Sequence, residues 1–188
     1  MDRVTDVLGG AAFQHYRFLE GPVPEADEDS EIRCRLLCEE DRCGQYGRTW
    51  SCPPGFSVTL GDLRGRFSSA VLMERTAQMN PKDADSMADL SRSVHEDVRR
   101  AASAIRDAGY DCMGFADGAC GYCGICSYPD PCRFPAMLIP SISALGLDLG
   151  AYLRTLGEEL EFRSDRVTLY GLLLIGRCPP TGPSIQQY

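Results

Sequence analysis

Ten cysteines in a chain of 188 residues are the part of this sequence with the clearest chemistry. Eight of them fall into two sets, the first between residues 34 and 52 and the second between residues 120 and 132. The sets are Cys34, Cys38, Cys43 and Cys52, followed by Cys120, Cys123, Cys126 and Cys132. Thiolates are soft ligands that bind zinc and iron–sulfur clusters. In a reducing compartment such a density favours metal binding or redox chemistry over disulfides.

The spacing of the second set favours an iron–sulfur cluster over zinc. Zinc sites are usually built from two separate Cys-x2-Cys pairs. In "CGYCGIC", at 120–126, three cysteines follow one another at C-x2-C-x2-C, so one tight loop supplies three ligands of a [4Fe-4S] cluster, as in bacterial ferredoxins. Gly121 and Gly124 allow sharp turns that bring backbone N–H groups toward sulfur. The sequence predicts a [4Fe-4S] cluster here, with Zn²⁺ as the alternative.

The fourth ligand of this cluster stays open at the level of sequence. Five residues separate Cys126 from Cys132, where the ferredoxin run has three, and Arg133 stands where that run has proline. Cys52 and Cys178 each precede a proline, which holds the preceding residue extended, so either is an alternative fourth ligand. Arg133 is a candidate cation beside the negatively charged cluster, with an ordinary surface arginine as the equal alternative.

The first set is less regular. "CRLLCEEDRCGQYGRTWSCPP" has the spacing C-x3-C-x4-C-x8-C, which matches no zinc ribbon. It also departs from the C-x3-C-x2-C loop of radical S-adenosylmethionine enzymes, whose barrel needs a longer chain. Four ligands there predict a second, closed cluster; the alternative is that one or two of these cysteines only pack in the core. Cys112 and Cys178 stand apart from both sets.

The elements that must position these cysteines begin with a long helix. The stretch from residue 83 to 109 has apolar residues at three- and four-residue steps, which predicts an amphipathic helix packed on a flat surface. Asp83 or Asp85 caps its start, and Gly109 suits its end. The apolar stripe is Met87, Leu90, Val94, Val98, Ala101, Ala102 and Ile105, and the polar residues assigned to water include Arg92, Glu96, Arg99 and Arg100.

Strands and shorter helices complete the predicted fold. Strands are predicted at 68–77, at 110–115 and, as a central apolar strand, at 167–176. Ser141 and Gly146 bound a very short helix, and a second helix begins at Asp148. This order predicts a small α/β sheet with flanking helices and cysteine loops at one end, with α+β as the alternative.

The chain is predicted to be a single metal-binding domain covering residues 1–188, because its length supports one core. Residues 1–30 are predicted to be a poorly structured or peripheral lead-in, with the acidic run at 24–31 as a solvated connector. Residues 31–55 are predicted to be an irregular first cysteine loop, because glycine and proline accompany the cysteines. Residues 120–135 form the second cysteine loop.

Composition argues against several partners. The net charge of −8 disfavours nucleic acid, which is bound by clustered basic residues. No stretch approaches the roughly 20 apolar residues of a membrane span, so no membrane insertion is expected. The N-terminus does not resemble an export signal, which predicts a cytoplasmic location.

Other chemistry has little support in the sequence. The two histidines, His15 and His95, lie among apolar residues and are predicted to be structural or solvent-facing. No glycine-rich phosphate loop of the Walker or dinucleotide type occurs. Four aromatic residues lie near cysteines, where they either shield a cluster from water or simply pack: Tyr46, Trp50, Tyr122 and Tyr128.

Three motifs together resemble an uncharacterised family of predicted metal-binding proteins, domain of unknown function 2284. They are "CGQYGRTWSCPP", "CGYCGICSYPDPCRFP" and "IPSISALGLDLG", and the resemblance runs from about Ile32 to about Ile175. It implies that iron–sulfur clusters are expected, and it marks as motif cysteines Cys34, Cys43 and Cys52 in the first set and all four of the second set.

These observations lead to three hypotheses about function. The first is a protein that carries one or two [4Fe-4S] clusters and exchanges single electrons with a redox partner protein. The second is an iron–sulfur enzyme or metal-handling protein in which one metal ion keeps an open coordination position. The third is a zinc-stapled structural or interaction module, in which the metal supplies folding free energy. The oligomeric state is not predicted.

Overall fold

The computed structural model describes residues 2–177, which form a four-stranded sheet with helices on both faces. The strands are β1 (Arg17–Gly21), β2 (Ser69–Gln78), β3 (Tyr110–Ala116) and β4 (Arg166–Arg177). The helices are α1 (Asp2–Leu8), α2 (Glu28–Glu39), α3 (Ala84–Asp107) and α4 (Leu149–Thr155). Single 3-10 turns cover Ala11–Phe13, Pro135–Met137 and Ser143–Leu145.

The strands lie in the order β1-β2-β4-β3, and each neighbouring pair is antiparallel. β4 therefore separates β2 from β3 and runs opposite to both, so the crossover through α3 joins two strands that do not touch. The predicted small sheet with flanking helices is confirmed. The antiparallel pairing makes the fold α+β.

β4 is the central strand that its unbroken apolar sequence predicts, because both of its faces are covered. Leu173 and Ile175 point into a core that α1 and α3 close. Leu172 and Leu174 point into a second core, closed by the chain between α2 and β2 together with the 3-10 turn at Ser143–Leu145 and α4. Alternate strand residues thus bury themselves on opposite sides of the sheet.

The long helix α3 is confirmed in its start, its end and its buried stripe. The carboxylate of Asp83 accepts a hydrogen bond from the backbone N–H of Ser86, and Gly109 has a φ of +92° just past the end. A Cβ atom on Gly114 of β3 would lie 2.7 Å from Val98, and one on Gly171 of β4 would also collide with Val98. These glycines let α3 lie close against the two strands.

The first thirty residues are not the peripheral lead-in that the sequence suggested. β1 is an edge strand that pairs with β2 along its whole length, from Arg17 opposite Glu74 to Gly21 opposite Ala70. Phe13 is buried in the core under α3. The short strand with charged residues carries a weak sequence signal, which explains why pairing with β2 was not foreseen.

The stretch from 31 to 55 is not a continuous irregular loop either, because α2 covers its first nine residues. The side chain of Asp27 accepts a hydrogen bond from the backbone N–H of Ser30 and caps the helix. The acidic residues at its start lie in the first turn, where the helix dipole favours negative charge. Part of the acidic run is therefore a helix N-terminus and not a solvated connector.

The short helix expected after Ser141 is a single 3-10 turn, Ser143–Leu145, and Ser141 does not cap it. The backbone N–H of Ser141 instead donates to the carbonyl oxygen of Ser51 at 2.9 Å. Gly146 ends the turn with a φ of +83°, as predicted, and Asp148 caps α4 through the backbone N–H of Ala151. Ser141 thereby links this segment to the first cysteine set.

Candidate metal centre

All four cysteines of the second set line one small pocket, of about 280 Å³ including the part open to solvent. Cys132, whose place the spacing left open, lies among them. Cys52 does not line this pocket, and Cys178 lies outside the described residues. The lining residues are Trp50, Ser51, Cys120, Tyr122, Cys123, Cys126, Cys132, Phe134, Met137 and Leu138.

The second cysteine loop is attached to the sheet at its first residues. The backbone N–H of Asp117 donates to the carbonyl oxygen of Tyr170 at 2.9 Å, and the Asp117 carboxylate accepts from the N–H of Tyr170, also at 2.9 Å. The N–H of Ala116 donates to Pro140 at 3.1 Å. The loop therefore starts and returns at the end of β3.

A glycine makes the turn between the cysteines possible. Gly124 has a φ of +70°, in the left-handed region that side chains disfavour, and its N–H donates to the carbonyl oxygen of Gly121 at 3.2 Å. This turn places Cys123 and Cys126 on the same pocket. The conformational role that the sequence assigned to Gly124 is confirmed.

The segment before Cys52 packs against the second loop. The indole N–H of Trp50 donates to the carbonyl oxygen of Asp130 at 2.8 Å, and its ring meets that of Tyr128 edge-on at 5.1 Å between centroids. The hydroxyl oxygen of Ser51 accepts from the backbone N–H of Cys120 at 2.8 Å. The two cysteine segments therefore form one continuous structure.

Helix α3 also holds the loop, through residues that the sequence assigned to other roles. His95 is buried, and its Nε2 lies 3.1 Å from the carbonyl oxygen of Asp117. One turn later, Arg99 donates to the sulfur of Cys120 at 3.4 Å. The sequence pattern predicts a solvent-facing Arg99, so this contact is a correction. The sequence carries one signal for this contact: Arg99 is four residues from His95, so both side chains lie on one side of the helix.

Arg133, the cation that the sequence proposed for this site, makes a different contact. Its guanidinium donates to the carbonyl oxygen of Ile125, which lies between Cys123 and Cys126. Arg133 thus supports the backbone of the loop, while Arg99 contacts a sulfur. Ser51 was also missed, because nothing in its local sequence indicates that it meets a residue 69 positions away.

The first set lies across α2 and the turn region after it. Cys34 and Cys38 are four residues apart on α2, so they share one side of the helix. Burial, and after it the nearby thiols Cys52, Cys43 and Cys34, raise the pKa of the Cys38 thiol to about 11. The thiol of Cys38 therefore lies near the other three thiols of the first set.

Cys52, the last cysteine of the first set, lies near the second set in the structure. It is buried, and burial is the main cause that raises the pKa of its thiol. Hydrogen bonds with Thr49 and Ser51 lower this pKa, whereas the neighbouring thiols Cys43 and Cys120 raise it. The hydrogen bond that the backbone N–H of Cys120 donates to the hydroxyl of the adjacent Ser51 brings the first and second sets near each other.

Cys112 belongs to neither set. It lies in β3, buried in the core beneath α3, and burial raises the pKa of its thiol to about 12. A neutral thiol surrounded by apolar side chains packs as a small hydrophobic residue.

The donor chemistry of the pocket fits a thiophilic metal, although its side chains are not at coordinating positions. In the stretch that the structure describes, no three cysteine, histidine or carboxylate side chains converge closely enough to hold one metal ion. The pocket nevertheless gathers four thiols that are partly exposed and lie on a loop attached at its base. Metal binding would deprotonate these thiols and draw the loop together, because metal binding and local folding are coupled.

A family model described as "Predicted metal-binding protein (DUF2284)" matches residues 25–175, which include both cysteine sets, α3 and most of the sheet. No curated protein and no solved structure matches the chain. Between residues 2 and 177, no helix is long and apolar enough to span a bilayer.

Proposed function

We propose that this chain, which belongs to the DUF2284 family of predicted metal-binding proteins, holds a [4Fe-4S] cluster through Cys120, Cys123, Cys126 and Cys132 and serves in electron transfer. The observation that carries the proposal is the pocket shared by these four cysteines. It supports Cys132 as the fourth ligand over Cys52. When bound, such a cluster carries one electron at a time.

Local geometry supports the cluster over zinc. Three of the sulfurs come from one C-x2-C-x2-C turn, which suits a cubane better than the paired knuckles of zinc sites. The left-handed Gly124 tightens this turn. Trp50 and Tyr122 line the pocket and limit the access of water, which affects the reduction potential of a cluster.

Exposure of the loop supports exchange of electrons with another protein. Ile125, between two of the cysteines, is 85% exposed, and Tyr122 and Phe134, whose rings meet edge-on, are also exposed. Aromatic and aliphatic side chains at the surface are typical of protein interfaces. We infer a redox partner protein that approaches this loop. With four thiolates on the metal, no coordination position remains for a substrate.

The first set is proposed as the site of a second cluster, with Cys34, Cys38, Cys43 and Cys52 as ligands. Its support is the position of Cys38, whose thiol lies near the other three and has a pKa that burial and these neighbours raise. We propose a cytoplasmic location, because dense sets of metal-binding cysteines are typical of a reducing compartment.

Elemental analysis of protein purified without exposure to air tests the proposal. We expect about four iron and four sulfide ions per chain for one cluster, or about eight of each for two. The reduced protein should give an electron paramagnetic resonance signal. Stoichiometric zinc without sulfide would refute the cluster and support the zinc-stapled module. An open iron that binds small ligands would support the enzyme alternative.

A cysteine substitution locates the cluster. Cys126→Ser should lose the iron and sulfide of one cluster, and it should also lower stability because the metal contributes to folding. The matched control is Cys112→Ala, which removes a thiol from the core and none from the pocket. If Cys126→Ser retains full metal content, the loop is not a ligand loop.

A further inference from the structure

The side chain of Arg99 contacts the start of the second cysteine loop and the 3-10 turn at its far end, Pro135–Met137. Its Nε donates to the carbonyl oxygen of Met137 at 2.7 Å, and its Nη2 donates to the sulfur of Cys120 at 3.4 Å. The guanidinium carbon lies 4.9 Å from the ring centre of Tyr122. Three parts of the pocket wall therefore meet at one cation on a helix that is itself firmly packed.

The helix backbone that carries Arg99 is held in place by its buried neighbours, which distinguishes Arg99 from a flexible surface arginine. On the same helix, Val98 is completely buried against the sheet, and His95 is buried one turn earlier. The guanidinium is planar and stays charged at any pH at which the protein folds. Its two donors are directed at an oxygen and a sulfur at once, an arrangement that the ammonium group of lysine does not reproduce.

We propose that Arg99 is a positioning residue of the metal site, which fixes the sulfur of Cys120 and raises the reduction potential of the bound cluster. The inference rests on the proposed function, because it assumes that Cys120 is a metal ligand. Four thiolates give the site a net negative charge, and reduction adds to it. A nearby fixed positive charge stabilises the reduced state more than the oxidised state.

Arg133 is the natural rival for this role, and its contacts argue against it. It is exposed and donates to the carbonyl oxygen of Ile125. This contact supports the loop from outside, whereas Arg99 contacts the sulfur from the side of the helix. We therefore expect substitution of Arg99 to change the metal site more than substitution of Arg133.

The test compares Arg99→Met and Arg99→Lys with wild-type protein and with Arg92→Met. Arg92 lies on the same helix, and its guanidinium pairs with Asp89 at the surface. Methionine and lysine are both good helix formers, so α3 should persist, which circular dichroism of the metal-free proteins checks. The first readout is Zn²⁺ affinity in competition with a chromophoric chelator, and the second is the midpoint potential of the cluster reconstituted anaerobically.

We expect Arg99→Met to bind Zn²⁺ about 10- to 100-fold more weakly than wild type and to have a more negative midpoint potential. Arg99→Lys should have a midpoint potential close to that of wild type but a weakened Zn²⁺ affinity. Lysine keeps the positive charge and lacks the two directed N–H donors of the guanidinium group. Arg92→Met should match wild type. If wild type assembles no cluster, the proposed function fails, whether or not it binds Zn²⁺. If wild type binds and Arg99→Met equals Arg92→Met in both readouts, the role of Arg99 is refuted.

Discussion

The hydroxyl oxygen of Ser51 accepts a hydrogen bond of 2.8 Å from the backbone N–H of Cys120, and this contact joins the two cysteine segments inside the protein. Ser51 is completely buried, and its hydroxyl also lies 3.1 Å from that of Thr49. Its carbonyl oxygen accepts from Ser141. One small residue thus connects the first set, the second set and the segment before α4.

Ser51→Ala should lower the free energy of unfolding of the metal-free protein by about 1–3 kcal/mol, because the partly buried N–H of Cys120 loses the acceptor that the buried hydroxyl of Ser51 provides. Urea denaturation under reducing conditions measures this change. The matched control is Ser127→Ala, since the exposed hydroxyl of Ser127 donates to the carbonyl oxygen of Pro131 in the same loop. An effect of Ser51→Ala no larger than that of the control would contradict the connecting role.

Cys132→Ser and Cys52→Ser should separate the two candidates for the fourth ligand of the second loop. Because Cys132 lines the pocket and Cys52 does not, Cys132→Ser should remove the metal bound by the Cys120 loop. Cys52→Ser should spare it and affect only metal held by the first set. Metal-to-chain ratios decide the point when each substitution is made in a chain that also carries Cys34→Ser and Cys38→Ser, so that only the second loop can hold a cluster. Loss of the second-loop metal in Cys52→Ser alone would reverse the assignment.

The buried His95 should make the metal-free protein less stable in mild acid. Burial lowers the pKa of His95 to about 4, from an unfolded value near 6.5, so the unfolded chain binds a proton that the folded protein excludes. The stabilising contribution is fully present above about pH 6.5 and is lost as the pH falls toward 4, by up to about 3 kcal/mol. Nearby Arg99 also disfavours the charged imidazole.

The comparison of wild type with His95→Gln isolates this effect, since glutamine keeps a donor for the carbonyl oxygen of Asp117 and does not titrate. Burial of the Asp117 carboxyl raises its pKa to about 6, which gives the opposite slope between pH 4 and 6, but both proteins share that slope. Their difference in unfolding free energy should therefore shrink as the pH falls from 6.5 to 4. A constant difference would contradict a neutral, buried His95.

Gly171→Ala should destabilise the fold by about 1–3 kcal/mol, because the added methyl group collides with Val98 on α3. The double variant with Val98→Ala should recover part of this loss, since the second substitution makes room for the first. Thermal unfolding of the two single variants and the double variant gives the coupling free energy. Strict additivity of the two effects would contradict the close approach of α3 to β4.

The sequence predicts the elements whose patterns are long and regular. The stripe of α3 and the apolar run of β4 are clear enough that their bounds agree closely with the structure. β1 is five residues long and depends on pairing with β2, so its own residues carry little information. The sequence does not predict α2, because its cysteines together with the glycines and prolines that follow indicate a loop. Asp27 is nevertheless an ordinary helix cap.

The residues of the candidate site also fall into those that the sequence predicts and those that it does not. Spacing alone identifies the three cysteines of the tight turn, because ligands close together in sequence must be close in space. The pocket then adds Cys132. The contacts of Arg99 and Ser51 with Cys120 span 21 and 69 residues, and no local pattern encodes such distances along the chain. They depend on how α3 and the first cysteine segment pack against the loop.

X-ray absorption spectroscopy of anaerobically purified protein tests the central claim most directly, because it identifies the metal and its nearest atoms together. We predict an iron edge with sulfur as the only nearest neighbour and a second shell of iron. The iron signal per chain should fall by the content of one cluster in Cys126→Ser and be retained in Cys112→Ala. A zinc edge with a sulfur shell would support the cysteine ligands but refute the iron–sulfur cluster. A metal bound only by nitrogen and oxygen, or a spectrum unchanged by Cys126→Ser, would contradict the account.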